Sequence, residues 1–340
     1  MGEVCSRIGS IAVHLPERAE TNDQLQRENP KWDMPLIEEK LGIRTRYIAR
    51  EDETAADLGV LAAQRLFAEC GVDRQEVDFL LLCTQTPDYP LPTTACLMQD
   101  RLQLRTNIGA IDFNLGCSGF VYGLGIADGL IRSGSARKVL LITAETYSKY
   151  IGPDDRSLRP IFGDGAAATI VEAVPVSKPG GASLSAFTYG TDGAGANMLL
   201  VNCGGARAKE QAIQPSKRHR WSSPLCMDGP ALIDFTLSRV PAAVDDVLTR
   251  SGLAESDIDL YLVHQASAKL LQHLRERLGV DERRMPTCLA DYGNTVSSTL
   301  PIMIRDLRRD GRLKPGMKSI LIGFGVGLSW SACLWVETQS

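Results

Sequence analysis

Val77-Asp78-Phe79-Leu80-Leu81-Leu82-Cys83-Thr84-Gln85 and Ile258-Asp259-Leu260-Tyr261-Leu262-Val263-His264-Gln265-Ala266 read as two copies of one strand, preceded by Cys70-Gly71 and Ser251-Gly252 respectively. The likeness continues downstream. Leu115-Gly116-Cys117 opens an apolar stretch that closes at Ser133-Gly134, and Tyr292-Gly293-Asn294 opens one that closes at Asp310-Gly311 with the same glycine-to-glycine spacing. Lys138-Val139-Leu140-Leu141-Ile142 then recurs as Lys318-Ser319-Ile320-Leu321-Ile322, and the offset stays close to 180 residues throughout. A duplicated unit packed about a pseudo-twofold axis brings equivalent strand ends together. Cys117 and Asn294 then face each other across one site, with His264 at a neighbouring strand end.

The remainder of the chain fits that frame. Apolar runs at Val77–Cys83, Ile108–Phe113, Val139–Ala144, Ala166–Ala173, Ile258–Val263, Ser319–Gly323 and Ser331–Glu337 read as strands. Helical periodicity covers Thr54–Cys70, Thr93–Leu102, Gly119–Arg132, Pro230–Ser251, Ala266–Leu278 and Ser298–Arg309. This alternation implies an α/β fold with sheets buried on both faces. Two halves are expected, residues 1–175 with the cysteine and 176–340 with the histidine and asparagine. Pro175, Pro179, Gly180 and Gly181 mark the join near Val174–Ala182. Cys203–Trp221 has no counterpart in the first half and reads as a surface insertion.

Composition excludes several classes. A chain of 340 residues with net charge −4 has the core of a globular enzyme and no electrostatic footprint for nucleic acid or anionic membrane. Nine cysteines, an odd number without C-x-x-C spacing, read as free thiols in a reducing cytosol. Cys70, Cys83 and Cys333 are taken as buried structural residues. No leader pattern and no apolar run of membrane length is present, so a cytoplasmic location is expected. Met1-Gly2…Ser6 meets the minimal myristoylation pattern, but residues 4–13 alternate as a first strand.

Cys117 follows a strand and a glycine and precedes a helix. This elbow lifts a nucleophile off a sheet, and the helix N-terminus is expected to favour its thiolate. The alternative is one more buried cysteine. His264 breaks the apolar pattern of its own repeat, where the equivalent position is Cys83. His14, His219 and His273 read as surface or strand-edge residues. Asn294 alone suits a turn; as the counterpart of Cys117 it becomes a donor aimed into the same cavity. No ligand-spaced cluster supports a metal site. Phe162-Gly163-Asp164-Gly165-Ala166-Ala167 lacks the lysine and spacing of a phosphate loop. Gly323-Phe324-Gly325-Val326-Gly327-Leu328-Ser329-Trp330 is a candidate oxyanion hole.

Asn114-Leu115-Gly116-Cys117-Ser118-Gly119-Phe120, Val263-His264-Gln265-Ala266, Tyr292-Gly293-Asn294-Thr295, Leu41-Gly42-Ile43-Arg44-Thr45-Arg46-Tyr47-Ile48 and Phe162-Gly163-Asp164-Gly165-Ala166 together resemble the β-ketoacyl-acyl-carrier-protein synthase III family of the thiolase superfamily, over nearly the whole chain. The resemblance implies a duplicated, five-layered α-β-α-β-α fold. It implies that Cys117 is the acyl-accepting nucleophile, and that His264 and Asn294 stabilise the enolate formed when a malonyl thioester decarboxylates. The backbone N–H groups of Cys117 and Val326 would form the oxyanion hole. It further implies a homodimer, coenzyme A or acyl-carrier-protein thioesters as substrates, a malonyl-carrier-protein acceptor, and no cofactor.

Departures from the family pattern concern substrate. The arginine that clasps adenine is matched by Arg156, but the partnering tryptophan position falls at Leu36, with Trp32 four residues early. One basic residue of the carrier-docking face is Asp234, although Lys269 and Arg277 keep that face basic. The aromatic cap lent by the partner subunit is replaced by Leu91, which implies an acyl chain other than acetyl or a bulkier acceptor. Position 326, a glycine in the family, is valine, which narrows the cavity and limits φ. These departures leave open a specialised acyltransferase or secondary-metabolite condensing enzyme with a non-malonyl acceptor. A cysteine protease is disfavoured by the duplicated α/β pattern, and a silent partner subunit by the presence of Cys117.

Overall fold

The computed structural model describes residues 4–175, 183–207 and 223–338. In chain order the first half holds β1 (Val4–His14), β2 (Arg18–Thr21), α1 (Asn22–Glu28), α2 (Met34–Leu41), β3 (Thr45–Ile48), α3 (Ala55–Glu69), β4 (Phe79–Cys83), α4 (Thr94–Arg101), β5 (Gly109–Phe113), α5 (Gly119–Arg132), β6 (Lys138–Glu145) and β7 (Gly165–Pro175). The second holds β8 (Leu184–Thr191), β9 (Leu199–Val201), β10 (Leu225–Met227), α6 (Gly229–Ser251), β11 (Leu260–Val263), α7 (Ala268–Leu278), α8 (Thr299–Arg309), β12 (Lys318–Gly325) and β13 (Ser329–Val336). The join expected near Val174–Ala182 lies, from residue 176 on, outside the described residues. So does the insertion from residue 208 on, together with His219 and Gly2.

Two large sheets carry the duplication. The first runs β1-β7-β6-β4-β5 and the second β8-β13-β12-β11. In each, the inner pairs next to the repeated apolar strand are parallel (β4 with β5 and β6; β11 with β12) and the outer pairs antiparallel. Beside β11, the stretch equivalent to β5 is irregular. Tyr261 N–H donates to the Arg284 carbonyl at 2.7 Å, and Pro286 then has no N–H to extend a ladder.

Helices α5 and α8 lie between the sheets: α5 touches β1, β4, β6 and β7 of one and β12 and β13 of the other, and α8 touches β1, β7 and β11. Their sequences explain the position. Helix α5 is apolar around most of its circumference, with Phe120, Val121, Leu124, Ala127 and Ile131 buried, and an all-round apolar helix belongs inside. Each such large side chain contributes roughly 1.5–3 kcal/mol through burial. The outer layers are amphipathic. Helices α3 and α4 cover the first sheet and α6 and α7 the second, which completes five layers, α-β-α-β-α.

Local signals set the helix ends. A capping box joins Thr54 and Asp57 at the start of α3. Ser267 caps α7, which ends at left-handed Gly279. The nine cysteines are all free. Cys83 and Cys333 are buried as expected, but Cys70 is exposed, because it sits at the C-cap of α3, past the apolar face. No helix among the described residues is long and apolar enough to cross a membrane.

Candidate active site

Strand β5 ends at Phe113, and after five intervening residues Gly119 opens α5, leaving Cys117 on the elbow. The second sheet meets that elbow closely. A Cβ built on Gly323 would lie 2.7 Å from the Cys117 carbonyl oxygen and from Ser118 Cα, so only glycine lets β12 approach. Beneath the elbow, the Cys83 thiol donates to the Leu115 carbonyl at 2.7 Å. From β13, Ser331 Oγ donates to the Ser118 carbonyl at 3.0 Å, and the hydroxyls of Ser118 and Ser329 lie 2.7 Å apart. Ser329 Oγ also donates to the Val326 carbonyl at 2.8 Å, which holds the turn carrying Val326 beside Gly116.

His264 follows the last residue of β11, and its backbone N–H donates to the Ile322 carbonyl at 2.8 Å. The ring stands edge-on to Phe324, with centroids 5.4 Å apart. Nδ1 lies 2.7 Å from Thr299 Oγ1, which is 3.1 Å from the Val296 carbonyl. Thr299 is the first residue of α8.

Asn294 is held by the glycine motif that the sequence left without a role. Asn294 N–H donates to the Ile161 carbonyl at 2.9 Å, and Gly163 N–H donates back to the Asn294 carbonyl at 3.1 Å. A Cβ on Gly163 would come within 2.5 Å of the Tyr292 carbonyl, so this pairing needs glycine. Asp164 anchors the loop, accepting from Ala49 N–H, Ser148 N–H and Ser148 Oγ. Asn294 Oδ1 accepts from Val296 N–H at 2.9 Å. With the carbonyl end of the amide occupied, Nδ2 is the end left to donate. Between Asn294 and α8 a 3₁₀ turn, Val296–Ser298, replaces the direct entry that Cys117 has into α5.

Cys117, His264 and Asn294 line one cavity of about 80 Å³, with Tyr147, Phe162, Leu199, Met227, Leu232, Phe235, Leu270, Phe324 and Val326 among its walls. Burial sets its electrostatics. The His264 pKa falls to about 3 through desolvation, so the ring is neutral at pH 7. Burial pushes the Cys117 thiol up, and the Glu145 carboxylate adds to the shift. The expectation that the helix N-terminus would favour a resting thiolate is therefore corrected, because burial opposes the charge more strongly. Glu145 itself is pushed up to about 8 by burial against three donors, Gln85 N–H, Thr86 Oγ1 and Ser297 Oγ.

The other sequence-named residues lie away from this cavity. Arg156 is exposed on the loop after β6, Lys269 on the first turn of α7, and Leu91 is 81% exposed on the segment before α4. Within one chain none of the three lines the cavity. His14 and His273 are half-buried. Sequence reasoning missed Glu145, Thr299 and Tyr147. Tyr147 donates to Gln85 Oε1 at 2.8 Å and packs on Phe162 in the cavity wall. Among the described residues, no group of three or more His, Cys, Asp or Glu could hold a metal ion.

A five-layered duplicated fold with a cysteine elbow facing a histidine and an asparagine defines a thiolase-type condensing enzyme. Residues 111–199 match the family described as 3-oxoacyl-[acyl-carrier-protein] synthase III, and residues 248–336 match its C-terminal counterpart. β-Ketoacyl-[acyl-carrier-protein] synthase III 2 of Halalkalibacterium halodurans is 36% identical over 330 residues, covering 95% of this chain and 94% of the relative. A crystal structure of a 3-oxoacyl-(acyl-carrier-protein) synthase III superposes with a TM-score of 0.92 at 44% identity, covering 98% of this chain and all (100%) of that one. The priming β-ketosynthase of the R1128 polyketide biosynthetic pathway superposes at 0.85 with 29% identity, covering 98% and 97%. The chain belongs to the β-ketoacyl-[acyl-carrier-protein] synthase III family and is a condensing acyltransferase.

Proposed function

We propose that Cys117, His264 and Asn294 carry out a two-stage acyl transfer. An acyl thioester of coenzyme A or acyl-carrier protein loads Cys117, and a malonyl thioester, carried by acyl-carrier protein, then enters. Its decarboxylation yields an enolate that attacks the acyl-enzyme to give a β-ketoacyl product. The thioesters and the departing carbon dioxide supply all the chemistry, so the reaction draws on no cofactor. The observation that carries this reading is the Asn294 amide. Its oxygen is tied to Val296 N–H, which leaves an N–H donor in the cavity shared with the thiol and imidazole. That donor suits the thioester oxygen on which negative charge builds during decarboxylation. The N–H groups of Cys117 and Val326 serve as oxyanion hole for the acyl transfers. Carbon dioxide release from malonyl thioester, measured against acyl loading in Asn294→Ala, tests the assignment.

The two halves, 1–175 and 176–340, act as one catalytic unit, each supplying one elbow. The working form is a homodimer in the cytoplasm. Its support is β5, an unpartnered sheet edge with Ile111 exposed, beside a segment that also exposes Tyr89 and Leu91. In that dimer Leu91 caps the partner's acyl pocket. Arg156 binds the coenzyme A nucleotide and Lys269 the carrier protein, both being exposed cations suited to phosphate or acidic partners.

A further inference from the structure

We propose that the Thr299 hydroxyl fixes the tautomer of His264, holding the ring hydrogen on Nδ1 and leaving Nε2 bare, so that His264 enters acyl loading as the base that takes the Cys117 thiol proton. This rests on the acyl-loading reading given above. A threonine hydroxyl has one hydrogen to give. The Val296 carbonyl, 3.1 Å from Thr299 Oγ1, can only accept. The hydrogen therefore points to Val296, and the oxygen's lone pair faces His264 Nδ1 at 2.7 Å. The reverse arrangement would set two oxygen lone pairs against each other in a buried site. Thr299 and His264 are 4% and 2% exposed, so water does not compete for either group. With Nδ1 engaged, Nε2 is the ring atom left for the cavity shared with Cys117.

The base is needed because the thiol is held neutral. Burial opposes a standing thiolate, and the buried imidazole is neutral too. Proton transfer must then accompany attack. The Sγ–H proton passes to Nε2 as Sγ bonds to the thioester carbonyl carbon. When the bond from that carbon to the leaving sulfur breaks, the leaving sulfur takes the proton from Nε2. The condensation that follows consumes one proton from solvent. Taken up at Nε2 only as negative charge builds on the thioester oxygen, it lets the same atom donate to the enolate oxygen and then return Cys117 to a thiol as product leaves.

Thr299→Val removes the acceptor at nearly constant shape, and Thr299→Ser keeps it. An unpaired Nδ1–H is costlier to bury than a bare Nδ1, so the valine variant is expected to move the hydrogen to Nε2. In ¹⁵N-histidine-labelled protein, with its four histidines, the His264 resonance is identified by its loss in His264→Ala. Its one-bond proton coupling should appear at Nδ1 in the wild type and in Thr299→Ser, and at Nε2 in Thr299→Val. Acyl loading of Thr299→Val should fall by roughly 10²-fold, with Thr299→Ser restoring it. Carbon dioxide release from malonyl thioester by preloaded Thr299→Val enzyme should stay close to wild type. A hydrogen on Nε2 in the wild type overturns the proposal, as do equal losses in both steps with an unchanged tautomer. Wild-type enzyme that forms no acyl adduct removes the loading reading and the base role with it, whereas the tautomer measurement decides the Thr299 assignment independently.

Discussion

Gly325 stands against Cys117: a Cβ built on it would lie 3.2 Å from Cys117 Cβ and 3.4 Å from Cys117 Sγ. That is tight contact with the thiol and its stem, so a methyl group there restricts the rotamers Sγ would use for the proposed attack. Gly325→Ala is expected to fold and to load acyl groups about tenfold more slowly, a cost of about 1.4 kcal/mol in the barrier. Gly323→Ala meets backbone at 2.7 Å and is expected to lower the melting temperature instead. Stopped-flow loading and thermal melts of both variants separate the effects. Unchanged loading in Gly325→Ala would remove the crowding argument.

The Asn294 and His264 variants should divide the two stages. Losing one preorganised donor to a developing oxyanion costs on the order of 10²–10³ in rate. Asn294→Ala should therefore lose decarboxylation by roughly that factor and keep loading near normal. His264→Ala should lose both steps, since its ring serves both. Loading rates and carbon dioxide release are the readouts. Equal losses in both steps for Asn294→Ala would make Asn294 a structural turn residue. Full acyl transfer to a non-malonyl acceptor by both variants would point to an acyltransferase that does not decarboxylate.

Glu145 gives a pH signature in stability. Its folded pKa, about 8, is above the ordinary value of 4.5, so between those limits the folded state holds a proton that the unfolded state has released. Stability from this group is full below about pH 4.5 and declines as pH rises toward 8. Glu145→Gln removes the titration. Its melting temperature relative to wild type should rise between pH 5 and pH 8.5, as scanning calorimetry at the two values can show. A pH-independent difference would contradict a carboxyl held neutral by burial.

The proposed dimer carries its own test. Sedimentation at micromolar concentration should give twice the chain mass, and Ile111→Lys on the β5 edge should shift the enzyme toward monomer and lower its activity. A fully active wild-type monomer would eliminate both the interface and the Leu91 cap.

Much of the fold was readable in the repeat. Helix α5 occupies the segment Gly119–Arg132 that periodicity marked, and β4, β6, β11 and β12 fall on the repeated apolar runs, because apolar strands and all-round apolar helices are local signals. Strand β8 was not, since Ser185, Thr188, Tyr189 and Gly190 break its alternation and Ala186 has φ of 51°. The trio that shares the cavity was visible through departures from the repeat, Cys83 against His264 and Cys117 against Asn294. Its surroundings were not. Glu145 ends an ordinary apolar strand, and its burial depends on donors from residues 85, 86 and 297. Thr299 looks like any helix start until α8 is laid beside β11. The thiolate expectation failed for the same reason, because a helix N-terminus is local and desolvation belongs to the whole fold.

The central claim is that Cys117 carries the acyl group, and intact-mass spectrometry reads it directly. Wild-type protein incubated with a panel of acyl-coenzyme A and acyl-carrier thioesters should gain one acyl mass, mapped by peptide digestion to Cys117. Cys117→Ala should gain none, although its eight other cysteines remain. An adduct of equal yield on Cys117→Ala, or a wild-type adduct mapped to another cysteine, would contradict the account.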